Sequence, residues 1–219
     1  MDFVNIIYNS PKKYLTYLRT ISIKIHENMV IQFCGLSGVG KTTLATQTKM
    51  QLNLRGIAVE IIDGDVYRSK LCKDLGFSKA DRQENIRRLG FIASRFSSYG
   101  MIAIMSVINP YEETRRELVN SYPDVKTVHL DCPVETLYKR DTKGLYKRTL
   151  LPEGDPQKLH NLSGVNDQFE NPQSPDLYIN TESKTIEECT ESLCGFILAQ
   201  LSVSDPLQPI PKDNIILNS

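Results

Sequence analysis

Three observations in this 219-residue sequence predict an α/β fold, a central five-stranded parallel sheet with helices on both faces. Five short apolar runs recur along the chain: MVIQFC, AVEIID, MIAIMSV, VKTVHLD and DLYIN. Each has strand length and is apolar enough to be buried on both faces. Stretches of helical periodicity separate them, as parallel strands require. A glycine-rich turn joins the first run to the first helical stretch.

Taken in order, residues 1–28 stand apart. YLTYLRTISIKI has mixed periodicity and reads as an N-terminal extension, either a short helix or a docking arm. The regular alternation fills 29–201. Thr42 to Arg55 repeats Leu44, Ala45, Thr48 and Leu52 at helical spacing, and Gly56 marks its end. Asp81 to Tyr99 is a long helix with Ile86, Leu89, Ile92, Ala93 and Phe96 on one face. Gly100 punctuates before the third strand. Glu112 to Asn120, Val134 to Arg140 and Thr185 to Leu201 complete the helices. Residues 141–175 are long, polar and rich in Gly and Pro, and read as a mobile lid outside the core. Residues 202–219 carry Pro206, Pro209 and Pro211 and read as an extended tail.

Composition removes several classes of function. Lys plus Arg number 26, as do Asp plus Glu, so no net field draws the chain to nucleic acid. No apolar run spans a membrane, and Asp2 with no basic region before an apolar stretch is unlike a secretory signal. Cysteines 34, 72, 132, 189 and 194 form no CxxC pair, which argues for reduced gap-fillers in a cytoplasmic protein over a disulfide framework or a metal site.

The chemistry starts at GLSGVGKTT, which matches G-x-x-x-x-G-K-[ST] between a strand and a helix. Gly35, Leu36, Ser37, Gly38, Val39 and Gly40 would turn backbone N–H groups around phosphate oxygens, with Thr43 following in the first helical turn. Lys41 would reach the terminal phosphates and the Thr42 hydroxyl would ligate Mg²⁺. ATP or GTP binding follows, but not what the phosphate is used for.

A second substrate is expected at the strand tips. Asp63 and Asp65 just pass strand two, placed to hold Mg²⁺ or to accept the proton of an attacking hydroxyl; one of them as a helix cap is the plainer alternative. Arg68 and Arg82 suit anionic oxygens, and Asn85 lies near them, whereas Arg87 and Arg88 also read as a solvated face. Phe77, just before the cap residue Ser78, stacks on a base or serves as a hydrophobic staple. KRDTKGLYKR supplies Lys139, Arg140, Lys143, Lys147 and Arg148 to the lid, fitting closure over a nucleotide, although such runs are often only solvated loops. Ile108 and Asn109 end the third strand, where parallel sheets hold ligands.

Together GLSGVGKTT, DGD followed by Arg68, KDLGFS, DRQENIRR, NPYEETR, DCP and RDTKGLYKR make the chain, from about Met29 to Leu201, resemble the adenylylsulfate (APS) kinase family. That resemblance implies a P-loop kinase fold, usually a homodimer, that moves the ATP γ-phosphate to the ribose 3′-hydroxyl of adenosine 5′-phosphosulfate with Mg²⁺. It makes Asp63 the base or Mg²⁺ organiser. It puts Asp65, Arg68, Arg82 and Asn85 on the acceptor, Phe77 on its base, Lys143 and Lys147 in the closing lid, and Arg140 and Thr181 near the ATP adenine. The departures lie on the acceptor side: Asn109 where the family has Ser, Glu112 where it has Arg, VYRSK after DGD, and Leu162 where it has a second stacking Phe. Losing that ring gives up about 1 kcal/mol of stacking. Two other readings stay open: the same 3′-kinase chemistry on another nucleotide such as cytidine diphosphoramidate, and a non-catalytic nucleotide-binding regulator.

Overall fold

The computed structural model describes residues 28–203. Residues 1–27 of the expected extension and 204–219 of the expected tail lie outside it. The elements run β1 (Met29–Cys34), α1 (Lys41–Asn53), β2 (Val59–Asp63), α2 (Gly64–Leu71), α3 (Lys79–Ser98), β3 (Ile102–Ser106), α4 (Glu112–Ser121), β4 (Val125–Asp131), α5 (Val134–Arg140), α6 (Leu145–Thr149), β5 (Leu177–Asn180) and α7 (Ile186–Val203). All strand pairs are parallel, in the order β2-β3-β1-β4-β5. The five expected strands are all present. Two short helices, α2 and α6, were not expected, because α2 buries no residue and α6 only Tyr146, which leaves no apolar stripe to read.

β1 lies at the centre and is buried along its whole length. Its odd residues Ile31 and Phe33 face a core completed by Leu44, Leu52, Val128, Leu137, Leu193 and Ile197. Its even residue Val30 faces a second core with Ile86, Leu89, Ala93, Met105 and Leu118 from α3, β3 and α4. Each such side chain contributes about 1.5–3 kcal/mol by leaving water, so the strand is fixed from both faces. The even face also carries Gln32, fully buried, and that polar residue becomes important at the strand tips.

Helix ends follow their local chemistry. α3 opens with a capping box: the Ser78 hydroxyl accepts from the Asp81 amide at 3.1 Å, and the Ser78 amide donates to the Asp81 carboxylate at 3.3 Å. α1 has no side-chain cap and no acid in its first turn; its N-cap is Gly40 at φ 100. Its first N–H groups thus remain open to an anion. Gly90 lets α4 approach α3, since a Cβ there would sit 2.3 Å from Leu118.

The region 141–175 differs from expectation. It was read as lying outside the core, yet its Tyr146 is 1 % exposed and Leu162 4 %. The Tyr146 ring packs on Tyr138, and its hydroxyl donates to the Ser37 carbonyl at 2.9 Å. The root of the lid is therefore part of the core beneath the phosphate loop. Composition concealed this, because two apolar anchors among many polar residues leave no periodicity.

Candidate active site

The tips of β1, β2 and β3 open into a cavity of about 880 Å³, bordered by the phosphate loop, α2, the start of α3 and lid residues from Thr142 to Ser163. The glycine loop leads into it from β1. Gly35 cannot carry a side chain, since its Cβ would lie 2.5 Å from the Leu130 carbonyl. Ser37, Gly38, Gly40, Lys41, Thr42 and Thr43 line the cavity. Gly35, Leu36 and Val39 do not: the Gly35 amide donates to the Ile108 carbonyl at 3.1 Å, while Val39 is buried in the core and Leu36 packs against it.

The Lys41 ammonium donates to the Gly35 and Leu36 carbonyls at 3.0 and 2.6 Å. An ammonium has three N–H groups, so one is left for a phosphate oxygen. Burial, reinforced by the nearby Lys143 charge, lowers its pKa from 10.5 to about 8. Cys34, directly below, is pushed up to about 12 by burial, only partly offset by Arg115 and Lys41, and stays a neutral thiol.

Asp63 ends β2 and fills two roles at once. One carboxylate oxygen accepts from the Asp65 and Val66 amides at 3.0 and 3.2 Å, capping α2. The other accepts from the Thr42 hydroxyl at 2.9 Å. The Ser106 hydroxyl lies 3.3 Å from that of Thr42. Three hard oxygen donors converge here, which is the chemistry a magnesium ion selects when nucleotide phosphates complete its shell. Asp65 on α2 reaches across the mouth to Lys143 of the lid at 2.5 Å.

Arg68, Phe77, Arg82, Asn85, Ile108, Asn109 and Leu162, the residues expected on the acceptor, all line the same cavity. Phe77 is 55 % exposed, with the Arg68 guanidinium 4.8 Å from its ring centre. The Arg82 guanidinium also lies 5.6 Å from that ring centre, so the exposed ring sits among cations and is not stapled by an apolar partner. Arg68 is held by the Gly76 carbonyl at 2.7 Å. Asn85 is buried and its Oδ1 meets no donor among the described residues.

Several expected roles shift. Arg82 is committed to protein: it donates to the Phe77 carbonyl at 3.0 Å and the Asn161 carbonyl at 2.5 Å, and pairs with Asp167 at 3.2 Å. It ties the lid to α3 more than it waits for an anion. Asn109 was expected to offer its amide to the nucleotide; instead it is 1 % exposed and its Nδ2 donates to Gln32 Oε1 at 2.8 Å. Its φ of 46° turns the strand tip back toward the core, a left-handed conformation that asparagine tolerates better than most residues. Lys147 is exposed and outside the cavity, while its neighbour Arg148 lines it. Arg140 and Thr181 lie outside the cavity but together, the guanidinium donating to the Thr181 carbonyl at 2.8 Å. Ser106, Leu159 and Asn161 were not anticipated. Only Ser106 had a usable signal, as the polar residue that closes the apolar third strand; the fold pairs it in register with Asp63.

Comparison with known proteins gives the chain a family. The family model for adenylylsulphate kinase matches residues 27–180. A probable adenylyl-sulfate kinase of Pseudomonas aeruginosa is 40% identical over 168 residues, 77% of this chain and 76% of the relative. An adenylyl-sulfate kinase of Chloroflexus aurantiacus is 41% identical over 165 residues, 75% of this chain and 86% of the relative. Among solved structures, the Mycobacterium tuberculosis APS kinase CysC in complex with AMPPNP and APS superposes with a TM-score of 0.72 at 30% identity, covering 78% of this chain and 98% of that one. A hexameric APS kinase from Thiobacillus denitrificans superposes with a TM-score of 0.58 at 27% identity, covering 81% of this chain and 30% of that one. A phosphate loop, a Thr–Asp pair and an exposed aromatic around one cavity, with a family match across most of the chain, lead to one conclusion: the protein belongs to the adenylylsulfate kinase family.

Proposed function

We infer that the protein transfers the γ-phosphoryl group of ATP to the ribose 3′-hydroxyl of adenosine 5′-phosphosulfate, yielding the 3′-phosphorylated product PAPS and ADP. The observation that carries this is one cavity lined both by Lys41, Thr42 and Asp63 and by Arg68, Phe77 and Asn85. A nucleotide-only binder has no need of the second set. Kinase-named relatives and the AMPPNP and APS complex of the tuberculosis enzyme support the same reading.

In this mechanism the ATP phosphates seat on the uncapped N-terminus of α1, and the remaining Lys41 N–H holds a terminal oxygen. Thr42, with Asp63 and Ser106 behind it, would hold Mg²⁺, which when bound neutralises charge building on the transferring group. Asp63, locked in place by two backbone N–H bonds, takes the acceptor hydroxyl proton on its Thr42-facing oxygen. Phe77 stacks on the acceptor base, Leu162 adds an aliphatic wall, and Arg68 meets the anionic end. Lys143 leaves Asp65 for phosphate as the lid closes, excluding water from the transfer. Arg140 and Thr181 border the donor base from outside the cavity. Among the described residues no helix is long and apolar enough to cross a membrane. We further propose a homodimer working in the cytoplasm on small nucleotides.

The test offers the purified protein ATP and Mg²⁺ with either adenosine 5′-phosphosulfate or cytidine diphosphoramidate, following ADP release and identifying the product. Turnover of the sulfated nucleotide is expected. Turnover of the cytidine compound alone overturns the assignment, and silence on both with ATP still bound leaves a regulator.

A further inference from the structure

The side chain that joins the most segments near the cavity is not among those expected to touch either nucleotide. Arg115, on the first turns of α4, is 2 % exposed and is the largest fully buried side chain of the described residues. A guanidinium has five N–H donors, and all five are engaged. Nη1 donates to the Asn109 carbonyl at 2.8 Å and to the Cys34 sulfur at 3.3 Å. Nη2 donates to Glu112 Oε2 at 2.8 Å and to the Glu170 carbonyl at 2.7 Å, and Nε also reaches Glu112 Oε2 at 3.1 Å. One planar group thereby fastens the end of β1, the strand-tip loop after β3, the start of α4 and the arm returning from the lid.

Two backbone amides close the same junction, one onto a carbonyl and one onto a carboxylate. The Glu170 amide donates to the Pro110 carbonyl at 2.8 Å, and the Glu112 amide donates to Glu170 Oε2 at 2.7 Å. The junction also adjoins the phosphate loop, since Ile108, one residue before Asn109, accepts from the Gly35 amide. Glu112 neutralises Arg115 locally, so a charge this deeply buried is tolerated. The cavity wall at Ile108–Pro110 and the lid arm at Glu170 are thus two sides of one rigid joint.

We propose that Arg115 is a positioning residue for the acceptor: it makes the strand-tip wall and the lid arm move as one body, so that closing the lid brings the wall onto the bound acceptor. It touches no substrate and acts through the Asn109 and Glu170 carbonyls. This rests on the kinase reading above, so its test has one arm that needs no turnover.

That arm is hydrogen–deuterium exchange of the full chain. The Glu112 and Glu170 amides are expected to exchange at a common slow rate, and in Arg115→Lys, which keeps the charge and loses the fork, both are expected to speed up together by about tenfold or more. Independent changes at the two amides, or none, overturn the joint. The second arm is kinetic. Arg115→Lys and Glu112→Gln are expected to raise acceptor KM about tenfold with ATP Kd within about twofold. A merely structural role lowers the active fraction and therefore apparent kcat, leaving both affinities in place; that result overturns the proposal. If no acceptor turns over in the parent protein, the kinase reading fails while the exchange result still decides the joint.

Discussion

Asn109→Ala separates a core role for this side chain from a substrate role. Two effects add. The Nδ2 bond to Gln32 is lost, leaving Gln32 Oε1 buried without a donor, which costs about 1–3 kcal/mol. Alanine must also hold the φ of 46° that asparagine tolerates locally, a further cost of about 1 kcal/mol. One effect opposes them: Asn109 Oδ1 is itself buried with no donor, and deleting it recovers about 1 kcal/mol. The net expectation is about 2 kcal/mol, or a fall in Tm of about 4–8 °C for a domain of this size. Asn109→Gly keeps the backbone conformation free and isolates the hydrogen-bond part, so it should lose less than the alanine variant. Urea titration with a shared m-value measures all three proteins. If the alanine variant keeps its stability to within about 0.5 kcal/mol while acceptor KM rises sharply, the amide faces the substrate and the core assignment is wrong.

Other outcomes follow from the same geometry. Phe77→Ala removes an exposed ring, so stability should stay within about 0.5 kcal/mol while acceptor KM rises about three- to tenfold from lost stacking; an unchanged KM excludes the stacking role. Asp63→Asn keeps a good helix cap and should leave Tm nearly unchanged, with kcat falling about a hundredfold or more; equal losses of kcat and ATP affinity would make Asp63 structural. Lys41 gives a pH signature. In the free protein its pKa is depressed to about 8, and nucleotide phosphates raise it, so below pH 8 the ammonium is present in both states and ATP affinity is flat in this respect. As pH rises through about 8, binding must take up a proton and affinity falls. Calorimetry near pH 8.5 in buffers of different ionisation enthalpy reads that proton directly, and zero uptake contradicts the depressed pKa.

The sheet was legible at its centre because parallel strands buried on both faces must be apolar runs, as β1 and β3 are, while the part-exposed β2 and β5 and the mixed β4 were placed by their alternation with helical stretches. The phosphate site was legible because its chemistry needs glycines, Lys41 and Thr42 at fixed spacing. One of Asp63 and Asp65 was seen as a possible helix cap, and it is Asp63, whose other oxygen accepts from Thr42. Asn109 lines the cavity, but position at a strand tip says nothing about side-chain direction, and a positive φ with the buried Gln32 on the neighbouring strand turns its Nδ2 inward. Arg82 and Arg115 look alike in sequence to any surface arginine; only tertiary structure places carbonyls around them. The lid's anchor at Tyr146 was hidden for the same reason, since its partner Ser37 is 109 residues away.

The bare N-terminus of α1 links ligand occupancy to the survival of the fold. A helix without a side-chain cap leaves N–H groups for an anion to complete, so occupancy adds RT ln(1 + [L]/Kd), about 2.7 kcal/mol at a hundredfold excess of ligand over Kd. Protein starved of nucleotide would unfold and be degraded sooner than protein well supplied, and its abundance would follow ATP without any dedicated regulator. Gly40, held at φ 100, leaves little room to mend this with a Ser or Asp cap, because those side chains would be strained there and would occupy the anion's place.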